Sequence, residues 1–316
     1  MTEFKVSVVM PVYNAARFVE KAVQSSVDIP EVGEVLLVDD GSSDNSLEVC
    51  FDLAKNYPKV RVLQHADQKN HGAAASRNLG IVNARCGFVA FLDADDFYLP
   101  HRFQQGKQIF TTHPDAEGVY GCCMNEFESE KAKELFYLKR TDVFMTIKKE
   151  IEPERLYKYL LFGGAGEFHT SAITIRKSTF DKVGLFNETI RYVEDTEFWI
   201  KLSLGAKLYP GSVKDPVSIR LVHENNSIHE VEKIKTYKDK MYQILFDWAV
   251  RQPFSFEIKN DFFIALYQFV KGTDYNGRKL FWEQVRRRPR ILFTLFALKK
   301  IHLLYFVNDK RSSAIE

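Results

Sequence analysis

The sequence predicts an α/β protein: a doubly wound, mostly parallel sheet with helices on both faces, followed by a helical C-terminal extension. Three observations lead there. Short apolar runs alternate with helix-period segments through the first hundred residues, the pattern of strands and crossover helices. Each run closes on a cluster of polar residues, and an open parallel sheet binds ligands beyond the carboxyl ends of its strands. Beyond about Val231 the pattern turns helical and aromatic.

Taken in order, Val6–Val12 reads as a buried strand and Ala15–Val27, after Asn14, as a helix. Glu34–Asp39 is a second strand, with a helix from about Ser43 to Asn56. Val60–Gln64 is a third, with a helix from about Ala73 to Ala84, and Phe88–Leu92 is a fourth. A helix is expected over Pro100–Thr112 and a strand over Val119–Met124. Asn125–Lys149 is polar and reads as a hairpin or a mobile loop. A helix over Glu154–Phe162 leads to the flexible Gly163-Gly164-Ala165-Gly166, and Ser171–Arg176 is strand-like. Glu194–Leu204 is a helix that turns Phe198, Leu202 and Trp199 inward, and Val213–Val222 is a last strand.

Composition is that of a soluble globular chain, with 45% hydrophobic and 27% charged residues. Cys50, Cys86, Cys122 and Cys123 form no C-x-x-C pair, and no secretory leader pattern precedes them. Reduced thiols in a cytoplasmic protein are therefore expected. Net charge is +2, but Lys271–Glu316 holds eleven Lys/Arg against four acids, leaving −5 for the rest. The body is thus no general nucleic-acid binder, while the tail could meet an anionic surface. Ile291–Val307 is too short and carries too many Lys to span a membrane. With Arg286–Arg288 and Arg290 before it, 286–307 suits either an interfacial helix at the inner face of the membrane or packing on the catalytic domain.

Four polar clusters carry chemistry. Asp93-Ala94-Asp95-Asp96 follows an apolar strand, and carboxylates so dense repel one another without a cation. A hard divalent metal suits them and would neutralise a departing pyrophosphate; a solvated acidic turn is the alternative. In Asp39-Asp40-Gly41-Ser42-Ser43-Asp44 one short polar residue can cap the next helix, which leaves the two carboxylates unexplained. A carboxylate there can accept the imide N–H of uracil or the N–H edge of guanine. Asn70-His71-Gly72 opens an Ala-rich helix with Arg77 one turn inside, an anion-binding arrangement or simply a tightly packed helix. Glu194 and Asp195 stand in the first turn of their helix, where its dipole favours carboxylates whatever their role. Arg220 and His223 are a weaker signal for a pyrophosphate contact and a metal ligand.

In this order and spacing the segments V-S-V-V-M-P-V-Y-N, V-D-D-G-S-S-D, N-H-G-A-A-A-S-R-N-L-G, F-L-D-A-D-D, V-G-L-F-N-E and E-D-T-E-F-W resemble glycosyltransferase family 2, inverting enzymes of the GT-A fold. The likeness runs from about Val6 to Ser227. It implies a nucleotide-sugar donor, a carbohydrate or glycoconjugate acceptor, and Mg²⁺ or Mn²⁺. Pro11 and Tyr13 would flank the nucleoside and Asp40 would bind the base, preferably uracil. Asn70 and Arg77 would lie near base and diphosphate, and Asp93 and Ala94 near the ribose. Asp95 would bind the metal, with His223 and Arg220 completing the metal and diphosphate site. Asp195, with Glu194 beside it, matches the general base. The expected division is a catalytic domain over 1–230 and a helical, basic region over 231–316. The alternative is a protein of the same fold that binds sugar nucleotide without turnover.

Overall fold

The computed structural model describes residues 3–138, 142–149, 151–163, 166–224, 226, 230–271 and 286. Its first strand, β1 (Val6–Val12), is buried along nearly its whole length because almost every side chain is apolar. It leads through α1 (Val19–Val27) to β2 (Val32–Asp39), then through α2 (Ser46–Asn56) to β3 (Val60–Gln64), and through α3 (Ala73–Asn83) to β4 (Phe88–Phe91). β1 pairs in parallel with β2 and β4, and β2 with β3, so four carboxyl ends share one edge. Side chains alternate between faces. Val8, Met10, Val35 and Leu37 face one core, with α1 and α2, while Val9, Leu36 and Val38 face the other, with α3.

The chain continues with β5 (Phe97–Tyr98), α4 (Gln104–Thr112), β6 (Gly118–Tyr120), β7 (Cys122–Phe127), α5 (Glu130–Tyr137), β8 (Phe144–Met145) and α6 (Pro153–Phe162). After a single 3₁₀ turn over Thr170–Ala172 come β9 (Ile173–Arg176), α7 (Thr179–Val183), α8 (Glu194–Gly205), β10 (Leu208–Pro210) and β11 (Pro216–Val222). The main sheet has the order β10-β6-β9-β4-β1-β2-β3, with β9 antiparallel to both neighbours. A second sheet has the order β5-β11-β7-β8.

That second sheet departs from the sequence reading. The single strand expected over Val119–Met124 is two strands, β6 and β7, which part at Gly121 and enter different sheets. Gly121 N–H donates to Ala172 O (2.8 Å) and Cys122 N–H to Ser212 O (2.7 Å), so loop carbonyls take the bonds that one continuous ladder would have made. An apolar run buried on both faces carries no mark of such a corner. Within the polar stretch after it lies α5, whose first turn is capped by Ser129 accepting from Ala132 N–H (3.1 Å).

Helices α1 and α2 also begin later than their patterns suggest. Asn14 Oδ1 accepts from Ser43 N–H (2.8 Å), and Asp44 Oδ2 accepts from Ala16 N–H (3.3 Å). Side chains of each loop thus bind the backbone of the other, and the residues before each helix are held in turns.

Helix α8 is fastened by an aromatic cluster. Fully buried Phe198 stacks on Phe186 at 4.2 Å between centroids, and Phe91 meets Phe186 edge-on at 5.4 Å. Trp199 and Leu202 are buried with them. The four cysteines are free thiols.

The chain divides into two compact units, 1–234 and 235–316. Helix α9 (Val231–Arg251) enters the second, which contains α10 (Phe256–Lys271), with Phe246 and Phe263 packed at 5.7 Å. Among the described residues no helix is long and apolar enough to cross a membrane. The expected interfacial segment 286–307 lies outside the described residues except for Arg286.

Because Phe198 anchors α8 from within the core, Phe198→Ala should lower the unfolding free energy by about 3–5 kcal/mol in urea titration. A loss below about 1 kcal/mol would mean that the cluster closes over the cavity.

Candidate active site

The polar residues at the carboxyl ends of β1, β2 and β4 are fixed by their neighbours rather than by their own strands. Asp40, just after β2, is 3% exposed. Its Oδ1 accepts from His71 N–H and its Oδ2 from Gly72 N–H, both at 2.8 Å, with His65 Nε2 3.3 Å from Oδ1. Asp40 thereby seats the loop that opens α3. Gly41 makes the approach possible: its φ is +70°, and a Cβ there would lie 2.8 Å from Gln68 O and 2.9 Å from Asn70 N. Asn14, also left-handed at φ 50°, ties the β1 end to the start of α2 through Ser43.

Arg77, in the first turns of α3, is 4% exposed and joins two distant segments. Its Nη1 donates to Glu194 Oε1 (2.8 Å) and its Nη2 to Asp93 Oδ1 (2.9 Å). Burial alone would weaken its hold on the proton, but the carboxylates of Asp93 and Glu194 raise its pKa above the ordinary value. Burial works to raise Asp93 too, yet Arg77 and then His169 hold it below the usual range. Glu194 is the second carboxylate on one cation: burial pushes it up to about 7 against the pull of Arg77, and Asp195 adds to the rise. Asp195 is half-buried, and its Oδ1 accepts from the backbone N–H (2.6 Å) and hydroxyl (3.3 Å) of Thr196.

Beyond β4 the carboxylates divide. Asp95 Oδ2 lies 3.1 Å from His223 Nε2 and accepts from Asn226 Nδ2 at 3.1 Å, while His223 stacks on Phe18 at 4.9 Å. Asp96 is buried, its Oδ1 accepting from Leu221 N–H on β11 (3.1 Å) and its Oδ2 3.7 Å from His169 Nδ1. Burial, then Asp95 and Asp93, raises the Asp96 carboxyl well above the ordinary range. His169 is driven down to about 4, first by burial and then by the charge of Arg220. Donor atoms of Asp93, Asp96 and His169 all lie within 4.8 Å of one another. Two carboxylates and an imidazole so placed fit a divalent metal.

The sequence profile described as glycosyl transferase family 2 matches residues 7–184. The chain belongs to that family. An uncharacterized glycosyltransferase of Rickettsia typhi is 25% identical over 205 residues, 65% of this chain and 60% of that one, so the chain spans less than two thirds of that relative. Staphylococcus aureus TarS (residues 1–349), solved with UDP-GlcNAc, superposes with a TM-score of 0.60 at 18% identity, over 84% of this chain and 71% of that one. The mannosyltransferase PcManGT of Pyrobaculum calidifontis, solved with GDP-Man and Mn²⁺, gives 0.55 at 13% identity, over 95% and 85%. The fold is that of the GT-A glycosyltransferases.

Of the residues that family resemblance singles out, direct bonds join Arg77, Asp93 and Glu194, and the Asp95–His223 pair is equally close. Asn70 is near them through its loop, and Arg220 acts on Asp93 by charge while its Nη1 faces Met145 Sδ at 3.8 Å. Pro11 is half-buried, Ala94 is buried, and Tyr13 is 51% exposed at the end of β1; among the described residues no side-chain hydrogen bond ties these three to the cluster. Sequence reasoning missed His169, Asn226 and Arg191, the last of which donates to Asn70 Oδ1 at 2.6 Å. Asn226 was within reach, three residues after His223; His169, in Glu167-Phe168-His169-Thr170-Ser171, belongs to no motif and gave no signal.

Glu194 supplies a pH test. Folded, it keeps its proton from pH 4.5 up to about 7, whereas an unfolded glutamate has lost it. The folded state then binds more protons, so its contribution to stability is full below pH 4.5 and falls as pH rises to 7. Glu194→Gln should therefore gain on wild type steadily across that window in thermal unfolding. A difference independent of pH would contradict the assignment.

Proposed function

We propose that this family 2 protein is an inverting glycosyltransferase that moves a sugar from a nucleoside diphosphate, UDP by preference, to a hydroxyl of a carbohydrate or glycoconjugate. The observation that carries the reading is the unequal use of the two neighbouring carboxylates at the start of α8. Glu194 is engaged by Arg77, while among the described residues Asp195 hydrogen-bonds only locally, to Thr196. Asp195 is thus the carboxylate left to receive a proton.

In this reading the acceptor oxygen attacks the anomeric carbon from the face opposite the nucleotide, and the bond from that carbon to the diphosphate oxygen breaks in the same displacement. Asp195 takes the hydroxyl proton as the new bond makes it acidic. Arg77 holds Glu194 and Asp93 so that the base and the strand-end turn keep their spacing. Tyr13 and Pro11 flank the nucleoside, and Asp93 and Ala94 border the ribose. Asp40 meets the base through Oδ2, which retains a lone pair beyond the bond it accepts from Gly72 N–H. Asn70 and Arg220 lie toward the diphosphate. Asp95 and His223 would hold Mn²⁺ or Mg²⁺, which supplies neutralisation of charge on the leaving diphosphate. The preference for uracil is supported by the likeness in fold to TarS, solved with UDP-GlcNAc.

Asp195→Asn should bind UDP with Mn²⁺ as wild type does in calorimetry, yet lose transfer by at least about a hundredfold, the low end for general-base catalysis. In the same assay, EDTA should abolish wild-type transfer. Near-normal transfer by Asp195→Asn beside an inactive Glu194→Gln would reverse the roles, and full activity in EDTA would remove the metal from the scheme.

A further inference from the structure

Arg191 connects the two segments that this reading assigns to donor and base. Its Nη1 donates to Asn70 Oδ1 (2.6 Å) and its Nη2 reaches Asn70 O (3.5 Å). Its stem lies across Gly72, where φ is +92° and an added Cβ would sit 3.4 Å from Arg191 Cδ. This is the loop whose amides Asp40 holds. Two residues after Arg191, Val193 adopts φ 56° and ψ 22°, left-handed values that a β-branched side chain strongly resists. Glu194 then returns to Arg77. The turn into α8 is therefore held at both ends, by Asn70 and by Arg77, around one strained residue. Such strain persists only where its surroundings over-determine it.

We propose that Arg191 is a positioning residue: by fastening Asn70 to the turn that enters α8, it makes the presentation of Asp195 depend on the loop that Asp40 seats. The inference rests on the proposed roles of Asp195 as base and of 70–72 as donor-side loop. A donor that settles that loop then also settles 194–196, so donor binding prepares the base for the acceptor. Arg191 touches neither sugar nor acceptor in this arrangement.

Hydrogen exchange followed by mass spectrometry on the full chain tests it, in wild type, Arg191→Ala, Arg191→Lys, Asn70→Ala and the Arg191→Ala/Asn70→Ala double variant. Without ligand, Arg191→Ala should speed exchange at 70–72 and 194–196 by roughly tenfold, the worth of one water-exposed hydrogen bond, with β1–β4 unchanged. Asn70→Ala should match it, the double variant should add nothing further, and Arg191→Lys should recover part. Unchanged exchange at 194–196 in Arg191→Ala, or additive effects in the double variant, would overturn the proposal. UDP with Mn²⁺ should slow 194–196 in wild type and not in Arg191→Ala; equal slowing in both would also overturn it. If UDP slows neither segment in wild type, the donor reading fails, while the ligand-free comparison still judges the link itself. In transfer assays kcat should fall for Arg191→Ala with donor KM within about threefold of wild type, because a misplaced base slows the chemical step while the groups that contact the donor remain. A rise in donor KM with kcat unchanged would make Arg191 a donor contact instead.

Discussion

A guanidinium taken almost wholly out of water must be met by carboxylates, and in this protein one of the two that meet Arg77 lies 16 residues along the chain and the other 117. Asp93 follows β4, the strand next after α3, whereas Glu194 opens α8, far along the chain. The next residue, Asn78, extends the same hold: its Nδ2 donates to Phe186 O (3.0 Å) and Glu188 Oε1 (2.8 Å), and its Oδ1 accepts from Phe186 N–H (2.9 Å). Phe186 in turn stacks on Phe198 and lies 5.6 Å from the Arg77 guanidinium. One turn of α3 thus sets where α8 begins. The start of α8 is where the proposed base stands.

The same interaction distributes protons. Around one cation, Asp93 is held low while Glu194 is pushed up to about 7, and the buried Asp96 is raised beyond the ordinary range by Asp95 and Asp93. Acidic groups this close do not all ionise together. Within the strand-end cluster Asp95 keeps to its own partners, His223 and Asn226. Asp195, the next residue on α8 after Glu194, stands beside this cluster and adds to the rise of the Glu194 carboxyl.

The parallel half of the fold was legible because its strands are uniform apolar runs that end in polar clusters; β1 and β3 fall on the expected residues, and β2, β4 and α3 within two of them. What stayed hidden depends on long-range bonds. The corner at Gly121 and the second sheet follow from carbonyls of Ala172 and Ser212, far away in sequence. Motif spacing marked Arg77 as an anion-binding residue, yet its burial between two carboxylates could not be read without knowing where Glu194 lies. Likewise Asp40 was legible as a strand-end carboxylate, but its two bonds to the His71 and Gly72 amides were not. Val193 in a left-handed conformation contradicts its own preference, which no local pattern can announce.

The central claim, that Arg77 organises the site, is tested most directly by a double-mutant cycle between Arg77→Met and Glu194→Gln, read by urea unfolding. Arg77→Met strands Glu194 in a nearly buried position beside Asp93, and should cost roughly 3 kcal/mol, the lower end for a broken buried pair since Asp93 keeps a third of its surface in water. Read above pH 7, where Glu194 without Arg77 must either stay charged or take up a proton, adding Glu194→Gln removes that cost and should restore at least about 1 kcal/mol of the loss, a coupling typical of residues in direct contact. Strictly additive losses, or an Arg77→Met protein as stable as wild type, would contradict it.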